Sequence, residues 1–406
     1  MKNHSFYSFW IAKTTISLAD VVYIMVITTY IYQGTGSVLL ASLFPFLKAL
    51  TGLIAGLSAP LLLQNKSMSK VLINLQVIKA ILITLLLVGF TALTSHIYIL
   101  LGYILILSFV EGWGSPLLNS IVPQIVPRDE LVKANSSLAL SNQIVQIGGY
   151  TLTGFLVVKI GYTSTLLITA ILLWISIFCL YIAVRPLHNQ KTQNQSASKW
   201  SLMKEGWIHI WNNSTLRLIT LMDIIEGIAG QIWVGAITLV YVKEVLHKGE
   251  QWWGYINASY YIGTILGGLV TVYLAKKIQK NLIFSMATGS FIFSTLTFLY
   301  GLSSIPFLSL LLCVAMGPAY QIRDVAQQTA FQTNIDASLL PKVYASRGVL
   351  LSAISSISIF IIGAISEYLG IRMVYIFGAI LICISAVLSF VLLKTKNKET
   401  SAHYSL

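Results

Sequence analysis

Twelve apolar stretches, each long enough to cross a bilayer, run through this chain and leave a membrane-embedded helical bundle as the fold open to it. A crossing helix needs about 20 mostly apolar residues. The stretches fall at 7–32, 37–63, 70–93, 97–119, 132–159, 162–184, 214–242, 251–275, 281–301, 304–328, 342–366 and 372–394. In hydrocarbon every backbone N–H and C=O must find a partner within its own helix, which excludes open strands. Composition agrees. Only 10% of the 406 residues are charged, against about 25% in soluble domains. The net charge of +13 does not indicate a nucleic-acid partner. Most Lys and Arg residues lie in the connections between apolar stretches, where they set orientation.

With the N-terminus inside, 18 Lys and Arg residues fall on the cytoplasmic side and four outside, Lys159, Lys243, Lys248 and Arg372. This bias predicts an even number of spans in the cell membrane, both termini cytoplasmic. The first span has no small-residue cleavage site after it and is expected to be retained. Cys179, Cys313 and Cys383 all fall within spans, where thiols act as small core residues. No histidine falls in a span, and no metal-ligand spacing is present.

The expected organisation is an all-α membrane protein: a six-helix bundle at 1–185, a cytoplasmic linker at 186–213, a second bundle at 214–394 and a tail at 395–406. Within the linker, 189–199 is polar. Trp200, Met203, Trp207, Ile210 and Trp211 then recur at helical spacing, which predicts a short interfacial helix. The halves echo each other. Gly154 and Gly161 match Gly363 and Gly370, and Lys133 matches Lys342; Ile27-Thr28 matches Ile237-Thr238. Two matched six-span units with pseudo-twofold symmetry around a central cavity form a recurring transporter plan.

Ionisable residues inside spans are costly and mark solute or proton paths. Five acids fall there, Asp20, Glu111, Asp223, Glu226 and Asp324, with the bases Lys13, Lys48, Lys79 and Arg323. Near balance predicts internal pairing. Asp20, mid-depth in span one, is placed to meet Lys48. It is a fixed ion pair, a proton site or a cavity-lining carboxylate. Asp223 and Glu226 share one helical face and resist ionising together. Asp223 is expected near the solvent. Glu226 is the deeper proton carrier or a partner of Arg323. Glu111, with Lys79 as its possible partner, precedes Gly112, Gly114 and Pro116, which allow a bend. Arg323 and Asp324 are expected as a local pair or gate lock. Asn142, Gln146 and Tyr150 form a stripe on span five that lines a cavity or bonds a neighbouring helix. Tyr320, Gln321, Gln327 and Gln328 add polar groups on span ten. Trp252, Trp253 and Tyr255 read as interfacial anchors. No phosphate-binding Gly-rich loop appears, and nothing resembles an enzyme.

Six plus six spans with a long central loop resemble the major facilitator superfamily. The segment Val126-Pro-Arg-Asp-Glu-Leu-Val-Lys-Ala-Asn135 resembles the post-span-four signature of the drug:proton antiporter-3 group. Ser17-Leu-Ala-Asp20 resembles its first-span motif, with Ala19 for Gly. Residues 205–217 resemble its stretch before span seven. The group contains macrolide-type drug exporters and siderophore exporters. The resemblance therefore implies a monomeric secondary transporter that needs no cofactor beyond a proton gradient and exports a small organic molecule. A proton-coupled nutrient importer is the alternative, and a lipid flippase or sensor a remote one. Two departures stand out. Gln64 replaces the usual acid in the loop after span two. The fifth-span antiporter pattern appears as Gly149-Tyr-Thr-Leu-Thr-Gly154, with Tyr150 for its Pro; Gly149 and Gly154 remain as gating candidates.

Overall fold

A computed structural model describes residues 4–35, 38–62, 67–187, 199–233 and 235–403. The loop bearing Gln64 and Lys66 lies outside them. Among the described residues all regular structure is helical. The helices are α1 (His4–Thr35), α2 (Val38–Leu62), α3 (Met68–Val88), α4 (Phe90–Thr94), α5 (Ile97–Ile125), α6 (Leu131–Val184), α7 (Lys199–Asn212), α8 (Ser214–Gly230), α9 (Gly235–Glu244), α10 (Glu250–Tyr273), α11 (Ala275–Lys280), α12 (Leu282–Leu302), α13 (Pro306–Thr333), α14 (Leu340–Leu369) and α15 (Ile371–His403).

Among the described residues, seven helical stretches are long and apolar enough to cross a membrane, and Ser214–Trp233 with Ile237–Glu244, bent by 51°, make an eighth. One of the seven, Arg128–Leu187, holds two crossing-length helices, because α6 breaks at Gly161 (φ +79°). α2, α10 and α13 have 25, 24 and 28 residues, and each has the length to cross. This reproduces the predicted twelve in order, with two differences. Span three stops at Val88, where Gly89 caps it before the short α4. Span seven breaks at Gln231–Trp233, behind Gly227 and Gly230, which weaken a helix.

The duplicated glycines have a structural reason. Gly161 and Gly370 both take positive φ, +79° and +89°, at the turns after spans five and eleven. An L side chain is disfavoured there, so glycine is kept at matching points of the two halves. The Lys133–Lys342 match does not extend to environment. Lys133 is exposed, whereas Lys342 is buried and donates to Glu205 Oε2 at 2.6 Å. That pair ties α7 to the start of α14, and Gly206 allows the approach: a Cβ there would lie 2.4 Å from the Lys342 carbonyl oxygen.

The chain divides into two compact units. Unit one comprises Met1–Pro127, Ser141–His209 and Asp336–Val349; unit two comprises Arg128–Leu140, Ile210–Ile335 and Leu350–Leu406. In unit one the core joins Ala19, Tyr23 and Val26 of α1, Ile83 of α3, Ile104 of α5 and Leu166 of α6. In unit two it joins α8, α9, α12, α13 and α15 around a ring cluster in which Tyr241 stacks on Tyr300 at 4.6 Å. Here α10 and α13 meet backbone to backbone: a Cβ on Gly317 would lie 1.9 Å from the Gly263 carbonyl carbon. Close approach through small residues is how helices associate where lipid removes the hydrophobic drive.

Candidate functional site

Unit one contains a cavity of about 280 Å³ whose wall includes Lys13, Asp20, Lys48, Lys79 and Glu111. Asp20 lies one turn from Ile16 and from Tyr23, on the inward side of α1. Glu111 is brought to α2 by its neighbour Gly112, whose absent side chain lets α5 approach Ala55 and Gly52; a Cβ there would meet Ala55 Cβ at 2.6 Å. Trp113 Nε1 donates to Ser58 Oγ at 2.8 Å and holds that crossing.

The charges form one chain of contacts. Lys79 Nζ donates to Asp20 Oδ1 and lies 2.8 Å from Glu111 Oε1. Lys48 Nζ lies 2.7 Å from Glu111 Oε2. Tyr23 Oη donates to Glu111 Oε1 at 2.8 Å and accepts from Lys48 at 3.1 Å. Two cations thus serve two carboxylates, unequally. Glu111 is clamped between both lysines, whereas the single described ion pair of Asp20 is with Lys79. The side chain of Asp20 is also 28% exposed, against 10% for Glu111. Lys13 stands apart and donates to Asn119 Oδ1 at 3.0 Å.

Unit two holds the second cluster. Glu226 Oε1 lies 3.1 Å from Arg323 and accepts from Ser385 Oγ at 2.6 Å. Gln327 Nε2 donates to Asp223 at 2.8 Å and to Glu226 at 2.9 Å, bridging the two acids that α8 places on one face. The Arg323 guanidinium lies 4.9 Å from the Tyr320 ring centre. Glu226, Arg323 and Tyr320 face a cavity of about 150 Å³.

Comparison with known proteins decides the family. The chain matches the description Major Facilitator Superfamily over residues 9–322. It belongs to the Major Facilitator Superfamily. It is therefore a multi-pass membrane transporter. The chain is similar to the MFS-type transporter YfmI of Bacillus subtilis (strain 168), 33% identical over 395 residues, 97% of each chain. Macrolide efflux protein A of Streptococcus pyogenes is 20% identical over 385 residues, 94% of each. The E. coli Fucose:proton symporter FucP shares the fold at TM-score 0.76 and 12% identity, over 95% of this chain and 98% of that one.

Within that superfamily frame several sequence expectations change. Asp20 pairs with Lys79, not Lys48. Lys48 belongs to Glu111, and the expected Lys79–Glu111 contact is present. Asp223 is buried rather than solvent-facing. Arg323 pairs with Glu226 across the unit, the alternative expected for Glu226, while its neighbour Asp324 is exposed and adds to the negative charge near the guanidinium. α5 runs unbroken through Pro116. Asn142, Gln146, Tyr150 and Gln321 line neither of these two cavities; Asn142 and Tyr150 are exposed and Gln321 is buried. Gly149 meets α1, where a Cβ would lie 2.8 Å from Val21 Cγ1, and Gly154 faces Met25 Cε at 3.4 Å.

Asn135, the last residue of the Val126–Asn135 segment, is fixed by Thr329 Oγ1 at 2.9 Å and Gln332 Oε1 at 2.7 Å. Trp253 and Tyr255 are exposed, as interfacial anchors are. Two hydrogen-bond partners in these clusters escaped the sequence reading. Tyr23 carried a signal, a hydroxyl three residues after Asp20. Ser385 is one of many serines and carried none.

Proposed function

We propose that this transporter exports a small amphipathic organic compound across the cell membrane in exchange for protons, its two six-helix halves exposing a central path alternately to each side. The observation that carries this reading is the sharing of Lys79 between Asp20 and Glu111. When Asp20 takes a proton it gives up one ion pair, and Lys79 keeps the other. Protonation is thus tolerated without stranding a buried cation. Asp20 is the proton carrier of unit one, Glu111 its ionised anchor, and Glu226 with Asp223 a second ionisable site. One charge moved through the full potential gains about 2.3 kcal/mol per 100 mV.

The pairing also bears on substrate. An acidic metallophore of the siderophore kind would need several unpaired cations, yet Lys48, Lys79 and Arg323 each face a carboxylate, which leaves Lys13, held by Asn119, as the one cation on these cavity walls with no described carboxylate. This favours a drug-like compound, and the likeness to Macrolide efflux protein A supports the same class. The chain would act as a monomer with both termini cytoplasmic and α7 lying in the cytoplasmic interface. A macrolide probe tests direction. It should accumulate in inside-out vesicles with an acid lumen. Accumulation instead in right-side-out vesicles with acid outside would make the protein an importer.

A further inference from the structure

The larger cavity, in unit one, has two unlike ends. On α1 its wall carries Lys13, Ser17 and Asp20, and on α5 Glu111, Ser115 and Asn119. Each set recurs every three to four residues, so each lies on one face of its helix. At one end Asp20 and Glu111 share Lys79. At the other Lys13 Nζ donates to Asn119 Oδ1 at 3.0 Å. About two helical turns, roughly 10 Å, separate Lys13 from Asp20 along α1. Ser17 and Ser115 place hydroxyls on the wall between the ends.

Charge is balanced at the first end only. Lys48 and Lys79 meet Asp20 and Glu111 there. Lys13 meets no carboxylate among the described residues, and its described hydrogen bond goes to an uncharged amide. That contact is itself partly exposed, and both side chains are half-buried on the cavity wall. With both acids ionised, the wall carries the cations Lys13, Lys48 and Lys79 against the carboxylates Asp20 and Glu111 alone. A cation at membrane depth with no counter-charge is costly and marks a solute path. One negative charge on a ligand neutralises the wall, and a second finds no cation left. The Asn119 amide turns its oxygen to Lys13, so its Nδ2 is a second donor beside the ammonium. A carboxylate has an oxygen for each.

We propose that the Lys13 end of this cavity binds one carboxylate group of an amphipathic substrate, held by Lys13 and Asn119, with the rest of the molecule lying along Ser17 and Ser115. The assignment rests on the export reading and deepens it by naming the charge its substrate carries. It is tested apart from that reading, in equilibrium binding with no gradient.

The experiment titrates the purified full chain in nanodiscs, at neutral pH, with phenylacetate, its uncharged isostere phenylacetamide and the doubly charged phenylsuccinate. Uptake by empty nanodiscs is subtracted. Phenylacetate should bind about tenfold more tightly than the amide, because a charge-assisted hydrogen bond is about twice as strong as a neutral one. Phenylsuccinate should bind no more tightly than phenylacetate. Lys13→Met should bring acid and amide to within about twofold of each other, since the ammonium that tells them apart is gone. Amide binding in that variant reports an intact cavity. Should Lys13→Met fail to fold, Lys13→Gln removes the same charge and serves the same comparison. Equal binding of acid and amide to the wild type overturns the proposal. So does a preference for the acid that survives in a folded Lys13→Met or Lys13→Gln protein, or phenylsuccinate binding more tightly than phenylacetate. The direction of transport in vesicles, and loss of pH-driven transport in Asp20→Asn, would speak only to the export reading.

Discussion

Asp20→Asn should abolish pH-driven transport, by about a hundredfold or more, while leaving the amount of folded protein unchanged. The amide keeps the size of the side chain and removes its proton site. Lys79 loses one partner but retains Glu111 at 2.8 Å, so the buried cation is not stranded. Downhill exchange of substrate, which needs no proton, should persist. Transport by inside-out vesicles with and without an imposed pH difference separates the two. The comparison variant is Glu111→Gln, which takes a carboxylate from both lysines at once and should lower folded yield as well as transport. A wild-type response to the pH difference in Asp20→Asn would remove Asp20 from the coupling role.

The largest effect on stability should come from Lys79→Met. Lys79 is 3% exposed and serves both carboxylates of the unit-one cluster. Removing one partner of a buried pair costs about 3–5 kcal/mol, because the other charge is left in low dielectric. Here Asp20 loses its described ion pair and Glu111 is left with Lys48 alone. The double variant Lys79→Met with Asp20→Asn restores the charge balance, one cation to one carboxylate. It should recover much of the loss, and the coupling energy follows from the mutant cycle. Thermal unfolding of the protein in nanodiscs measures it. A single variant as stable as wild type, or a double variant no better than the single, would mean that these charges do not act as a unit.

The span pattern was readable because hydropathy over a crossing length is a strong signal, and the matched glycines because only glycine suits the positive φ of Gly161 and Gly370. Which acids and bases sit at depth was readable for the same reason. Which of them meet was readable only in part: Lys79 with Glu111 and Arg323 with Glu226 were offered by the sequence, Asp20 with Lys79 was not. Asp20 and Lys48 fall at similar depth on successive spans, but depth does not fix the rotation of α2 about its axis. That rotation is set by the crossing at Gly112, which aims Lys48 at Glu111 and leaves Asp20 to Lys79. Arg323 had two candidate acids in the sequence, Asp324 and Glu226, and the ion pair forms with Glu226, which shares its wall. The break in span seven had a cue in Gly227 and Gly230, which hydropathy alone passes over. The contact of Gly263 with Gly317 had one in the spacing Gly263-x-x-x-Gly267.

Infrared spectroscopy of the full chain in nanodiscs reports directly whether Asp20 carries a proton, without a known substrate. On acidification the wild type should gain a protonated-carboxyl band that is missing from Asp20→Asn. Identical bands in the two proteins would show that Asp20 takes up no proton, and proton exchange through Asp20 would be excluded.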